Sequence, residues 1–286
     1  MRHIVTFNKF HASAWLAAAL LGACLGGQAH AAPAVAAATP LVIGESFNIE
    51  SKALGETRHI NVYMSRGYAL PADAPLPVLY MPDGGLREDF LHIAGLLQVS
   101  VDNGTMRPFM LVGIENTQRR RDMTGPTDNA EDKKIAPVVG GAAQFRRFLR
   151  EELMPEVKRR YRTTGETALI GESLAGLFVV ETFLREPGLF DHYIAIDPSL
   201  WWNDGKLLAE APTLLEQRAA KPQTLYFASS GTAGMDKGSA QLSTLLTARA
   251  PQGLRWHYQP VPTETHATIY QPAALQAFRT MFKPPN

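Results

Sequence analysis

The stretch "LIGESLAGLF", Leu169 to Phe178, sets an apolar run, Gly-Glu-Ser and a helix-forming segment in succession. A serine at such a junction can serve as an acyl-transfer nucleophile. On a sharp strand-to-helix turn its hydroxyl is exposed, and small neighbours let strand and helix pack closely around it. Ala175 stands where the G-x-S-x-G pattern has its last glycine; it adds one methyl, and Gly176 keeps the next turn open. The chain carries its own control in "VIGESFN", residues 42–48, where the same three letters are followed by strand-like alternation and no helix begins. Ser173 is therefore the candidate nucleophile, and Ser46 is not.

A serine hydroxyl is a poor nucleophile at neutral pH and needs a base in hydrogen-bond reach, usually histidine. Three histidines follow Ser173 in the chain. His192 enters a strand pattern, His257 lies inside another in "RWHYQ", and His266 falls in a turn-rich loop, "PVPTETHATI", before the final helix. His266 is the expected base. For the acid, Asp236 follows the run "TLYFAS" and has the sequential place expected in a serine, acid, histidine order. Glu264 precedes His266 by two residues, Asp197 follows "YIAI" one strand too early, and a serine–histidine dyad stays open. The oxyanion of a tetrahedral intermediate needs preorganised donors. The expected ones are the backbone N–H of Leu174 and those of Gly84 and Gly85, in the loop after "PVLYMPDGG".

The elements that must position these groups follow from periodicity. Apolar and polar residues alternate through "LVIGESFNIES" and "TRHINVYMSRGY", which predicts an antiparallel hairpin. Continuous apolar runs at 76–82, 108–114, 167–173, 193–196, 224–229 and 254–261 suit strands buried on both faces of a mostly parallel sheet. Helix-period segments at 142–161, 174–187 and 239–250 lie between them. The alternation predicts an α/β fold with helices on both faces of the sheet. One charged, irregular stretch, "ENTQRRRDMTGPTDNAEDKK" at 115–134, reads as a long loop directly after a central strand, and such loops are usually functional or disordered.

Composition sets the outer bounds. The 286 residues are 45% hydrophobic and 19% charged, as in an ordinary globular protein. Arg2 and Lys9 precede the apolar run "AWLAAALLGACLGG", which ends near "AHA" at 29–31, so residues 1–31 read as a secretory signal peptide and 32–40 as a spacer. Residues 41–286 then form one domain, periplasmic or secreted, with no transmembrane segment in the mature chain. "LGAC" also resembles a lipobox, and lipid anchoring through Cys24 is the alternative. Cys24 is the only cysteine, so the mature domain has no disulfide or zinc–cysteine cluster to staple it. Loss of Arg2 and Lys9 leaves 26 of the 28 basic side chains against 27 acidic ones, a balance that gives no support to a nucleic-acid partner.

Together, "VLYMPDGG", "LVGIENTQRRRDMTGPT", "LIGESLAGLF", "FDHYIAIDPSLWWN" and "ETHATIY" resemble the putative esterase family of α/β-hydrolases. The "RRRD" loop and "DPSLWWN" are most similar to the enterobactin and salmochelin (trilactone siderophore) esterases within it. The resemblance implies an α/β-hydrolase fold, Ser173 as nucleophile, His266 as base and no cofactor. It implies a serine esterase working through an acyl-enzyme on a small-molecule ester, with a siderophore trilactone as the favoured substrate. Ferric catecholates are anionic and aromatic, and guanidinium groups and flat rings suit them. Arg119, Arg120, Arg121, Trp201 and Trp202 offer both. The alternative is that one arginine pairs with Asp122, the others are solvated, and at least one tryptophan packs in the core. A carbohydrate-directed (acetyl or feruloyl) or general carboxylesterase shares this chemistry. A secreted binding protein on an inert hydrolase scaffold is the reading outside enzymology.

Overall fold

The alternating segments form the expected hairpin, β1 (Glu45–Ser51) against β2 (Glu56–Ser65), paired antiparallel from Glu45 opposite Val62 to Ser51 opposite Glu56. The computed structural model describes residues 38–67, 70–135, 138–218 and 221–284. The expected signal peptide at residues 1–31, the expected cleavage after Ala31 and the alternative lipid site Cys24 lie outside the described residues. All elements belong to the unit Val42–Asn286.

The continuous apolar runs become β3 (Leu76–Pro82), β4 (Phe109–Ile114), β5 (Thr163–Glu172), β6 (His192–Ile196), β7 (Gln223–Ser230) and β8 (Leu254–Val261). Their sheet runs β1-β2-β4-β3-β5-β6-β7-β8. β2 is antiparallel to both of its neighbours, and every pairing from β4 to β8 is parallel. Side chains of β3 alternate between two cores. Val78 and Tyr80 join the helices α4 (Ala142–Phe148), α5 (Met154–Arg160), α6 (Leu174–Arg185), α7 (Trp202–Glu216) and α8 (Met235–Arg249) on one face. Leu79 and Met81 join α1 (Phe90–Asp102) and α9 (Tyr270–Met281) on the other. The result is the three-layer α/β-hydrolase arrangement, with helices on both faces of the sheet. Among the described residues no helix is long and apolar enough to cross a membrane.

Two local departures from the sequence expectation have physical causes. The segment 142–161 is not one uniform α-helix: it widens into a π-helical turn at Leu149–Leu153, between α4 and α5. Pro155 in the first turn of α5 has no N–H to give to the carbonyl four residues back, and its ring would press on that carbonyl. A wider turn just ahead of it relieves the conflict. The stretch 115–134 is ordered, and it contains two short helices, α2 (Arg119–Met123) and α3 (Ala130–Ile135). It is tied to the segment after β6: the Trp202 indole N–H donates to the Gly125 carbonyl at 3.0 Å, and the Asn203 N–H donates to buried Asp132 at 2.8 Å. Asn203, Asp204 and Gly205 there take left-handed φ values of 49°, 55° and 73°, a turn held by these bonds.

Candidate active site

Parallel strands end on one edge of the sheet, where ligands of open α/β folds bind. β5 delivers Ser173 to that edge on a turn with φ 61° and ψ −120°, and α6 begins at the next residue. A side-chain-bearing residue held there is strained by about 1–3 kcal/mol, and the surroundings must over-determine it. They do so through two backbone bonds, the Ser173 N–H to the Ile196 carbonyl at 3.1 Å and the Ser199 N–H to the Ser173 carbonyl at 3.0 Å. A Cβ on Gly171 would come within 2.7 Å of the Ala175 backbone, so Gly171 makes the room that Ala175 occupies. Ala175 is fully buried in the elbow, and its methyl is tolerated because the glycine lies across from it.

The His266 Nε2 is 2.9 Å from the Ser173 Oγ, and its Nδ1 is 2.7 Å from Asp197 Oδ2. The acid beside the histidine is thus Asp197; the expected Asp236 instead lies exposed in the first turn of α8, where a carboxylate complements the helix dipole. Asp197 is fully buried and accepts two further bonds at 2.7 Å, from the Ser230 N–H and the Ser230 hydroxyl. Burial pushes its pKa up, but the hydrogen bonds from His266 and Ser230 outweigh this and hold it below the usual aspartate value. The bond to Asp197 in turn raises the pKa of His266 against the effect of burial, with the Glu172 and Asp197 charges adding to the rise. The loop carrying His266 is fastened by its own N–H, which donates to Thr232 Oγ1 at 2.8 Å. Ser199, Ser230 and Thr232 are supporting groups that the sequence reading passed over. The other two histidines lie in β6 and β8 as expected, His192 between Glu166 and Thr224 and His257 stacked on Tyr226.

The oxyanion donors need revision. Leu174 opens α6, where first-turn N–H groups lack an intrahelical acceptor, and it suits the role. Gly84 does not: its N–H donates to the Ile114 carbonyl at 2.9 Å, and a Cβ there would strike the Gly113 backbone at 2.3 Å. Close approach of two strand ends requires that glycine. The Gly85 N–H donates to Glu88 Oε2 at 2.7 Å, so it can serve an oxyanion only after Glu88 releases it.

The arginine-rich turn divides three ways. Arg119 grips buried Asp83 with two bonds, at 2.6 and 2.8 Å, and so ties the turn after β4 to the turn after β3. Arg120 is exposed and donates to the Ile135 carbonyl. Arg121 is committed to structure, bound to Asp122 at 2.7 Å and to Glu56 at 2.7 Å; burial pushes Glu56 up, but hydrogen bonds from Arg121, Thr117 and Arg58 outweigh it and bring Glu56 down to about 2. Trp202 is 4% exposed and packs in the core, whereas Trp201 is 43% exposed. The substrate-facing expectation thus fails for Arg121 and Trp202, which hold the fold, and stays open for Arg119, Arg120 and Trp201.

Beneath this turn, Arg58 and Asp122 form an ion pair at 2.5 Å with both side chains fully buried. Arg58 also donates to the Glu115 carbonyl and lies 5.2 Å from the centre of the Phe145 ring. Removing one member of such a pair strands a buried charge. Asp122→Ala is expected to lower stability by about 3 kcal/mol, the low end for a broken buried pair because Glu56, 3.0 Å from the same Arg58 nitrogen, remains, as measured by urea unfolding.

Comparison with known proteins agrees with this geometry. Residues 51–266 match the family model described as putative esterase. The chain belongs to that family. The esterase is 27% identical over 256 residues to the ferri-bacillibactin esterase BesA of Bacillus subtilis, which covers 80% of this chain and 86% of BesA. It is 38% identical over 107 residues to the siderophore enterobactin esterase of Emericella nidulans, over 34% of this chain and 35% of that one. Among solved structures, the IroE-like serine hydrolase of Shewanella oneidensis superimposes with a TM-score of 0.75 at 30% identity, covering 84% of this chain and 80% of that one. The protein is an ester hydrolase.

Proposed function

We propose that this esterase cleaves carboxylic esters of siderophores, trilactones of the enterobactin type in particular, through an acyl-enzyme on Ser173. The observation that carries the reading is the continuous relay from the Ser173 hydroxyl through His266 to Asp197. His266 Nε2 takes the serine proton as Oγ attacks the ester carbonyl, and the Leu174 N–H faces the developing oxyanion. Collapse expels the alkoxide, which takes the proton back from His266. Water then repeats the sequence on the acyl-serine and releases the acid. Asp197 holds the Nδ1–H tautomer and stabilises the imidazolium.

The substrate class is supported by the relatives, whose names put their action on bacillibactin and enterobactin, and by the exposed side chains of Arg120 in α2 and Trp201 ahead of α7, which suit an anionic aromatic ligand. The signal peptide read at residues 1–31 supports export to the periplasm. The experiment is chromatography of products after incubation with iron-free and iron-loaded enterobactin, beside p-nitrophenyl esters. Linear hydrolysis products from the wild-type protein and none from Ser173→Ala are expected. Cleavage of the aryl esters alone would overturn the siderophore reading and leave a general carboxylesterase.

A further inference from the structure

Glu172 ends β5 on the side of the sheet opposite α6. Ile170 and Ala168, two and four residues before it, belong to the core under α1 and α9, so the alternation of the strand carries Glu172 to that face. Its Oε1 lies 3.4 Å from His266 Nδ1, the same nitrogen that Asp197 engages at 2.7 Å. That oxygen is buried and has no hydrogen-bond partner, and His266 is its ion-pair contact among the described residues. A buried carboxyl oxygen left without a donor costs about 1–3 kcal/mol, and among the described residues this side chain makes no hydrogen bond. The two oxygens of Asp197, by contrast, are both bound by Ser230.

We propose that Glu172 is a positioning residue for His266: it is a second carboxyl on the Nδ1 side, it shares the imidazolium charge with Asp197, and it becomes the Nδ1–H acceptor when Asp197 cannot serve. The inference rests on the reading of Ser173 and His266 as nucleophile and base. A cavity of about 580 Å³ lined by Asp89, His92, Glu172, His266, Thr268 and Tyr270 gives the side chain room to close the remaining distance. The groups that act on it come from every neighbouring element. Asp89 ahead of α1 and Asp197 after β6 oppose its negative charge, and His266 and Arg119 favour it. Tyr270 and His92 line the same cavity, and the Tyr270 hydroxyl and His92 Nε2 are likewise buried without a hydrogen-bond partner among the described residues. Burial is the largest influence and pushes Glu172 up to about 7, so its charge changes in the pH range where His266 works.

The test is a double-mutant cycle over Glu172→Gln and Asp197→Asn on a p-nitrophenyl ester, with kcat/KM followed from pH 5.5 to 9. Alone, Glu172→Gln is expected to lower kcat about threefold at unchanged KM. In the Asp197→Asn background the same change should cost at least about tenfold, the sign of one group covering for the other. Ionised Glu172 raises the proton affinity of His266, which must be neutral to act as base. Its removal should therefore move the acid limb of kcat/KM to lower pH, a shift that a purely structural role would not produce. Equal factors in both backgrounds with an unmoved acid limb would overturn the inference while leaving the serine mechanism intact. Wild-type turnover by Ser173→Ala would instead remove the mechanism on which it rests.

Discussion

Ser173→Ala is expected to lower kcat on any ester substrate by about 10⁴- to 10⁶-fold, the range for loss of a triad nucleophile, with His266→Ala comparable. The loss should appear without unfolding. The elbow is held by backbone bonds to Ile196 and Ser199 and by the fit of Ala175 against Gly171, and the hydroxyl supports none of these. Its partners are the His266 Nε2 at 2.9 Å and, at 3.4 Å, the Ser199 hydroxyl. A second substitution separates chemistry from strain. At φ 61° glycine carries no penalty for the left-handed conformation. Ser173→Gly should therefore be as inactive as the alanine variant yet at least as stable as the wild type, because the relieved strain of about 1–3 kcal/mol exceeds the entropic cost of glycine, about 0.5–1 kcal/mol. Thermal unfolding of the three proteins, with ester turnover by each, checks both statements. Turnover by either variant above about one-hundredth of wild type would remove Ser173 from the nucleophile role. A lower midpoint for the glycine variant would show that the turn is not strained.

What the sequence made legible follows how local each signal is. The run "LPVLYMP" is β3 residue for residue, because two-sided burial leaves an uninterrupted apolar run whatever the strand packs against; "LRWHYQPV" is also β8 residue for residue, but as a half-exposed edge strand whose Arg255 and His257 face solvent. Ser173 was legible from a change of period at one point in the chain, strand before and helix after. His266 was legible by elimination among three histidines. Asp197 was not, because its role depends on sheet order: β6 is hydrogen-bonded to β5, and the loop after β8 folds back over β7 to reach it. Chain order places Asp197 a strand early, but in space it borders the elbow through the bond from the Ser173 N–H to Ile196. The Gly84-Gly85 pair carried a true signal for close backbone approach, and the sequence could not say whether the approach was to an oxyanion or to Gly113. Arg119, Arg120 and Arg121 are adjacent and chemically alike. Only the partners Asp83, Ile135 and Glu56, distant along the chain, divide them.

The acid assignment has the second large consequence. Asp197→Asn is expected to lower kcat by about 10²- to 10³-fold, and Asp236→Asn to leave it within about twofold of wild type. The first figure follows from what Asp197 does. It fixes the proton on Nδ1, so that Nε2 is free to accept from serine, and an asparagine amide can stabilise the wrong tautomer, a change worth about 10⁴ where the aspartate acts alone. Here the loss is smaller, because Glu172 stands 3.4 Å from the same nitrogen and can accept its proton. The second figure follows from exposure: Asp236 is solvated at the start of α8, and a surface carboxylate near a helix N-terminus contributes about 0.3–1 kcal/mol to stability and nothing to the histidine. Steady-state kinetics of the two variants on a p-nitrophenyl ester decides between them. Equal small effects would mean a serine–histidine dyad with no working acid. A large effect at Asp236 would require the α8 turn to rearrange when substrate binds. The asparagine at 197 should also be less stable than wild type, since the Ser230 N–H and hydroxyl both donate to the carboxylate, and an amide nitrogen facing either donor offers it no lone pair.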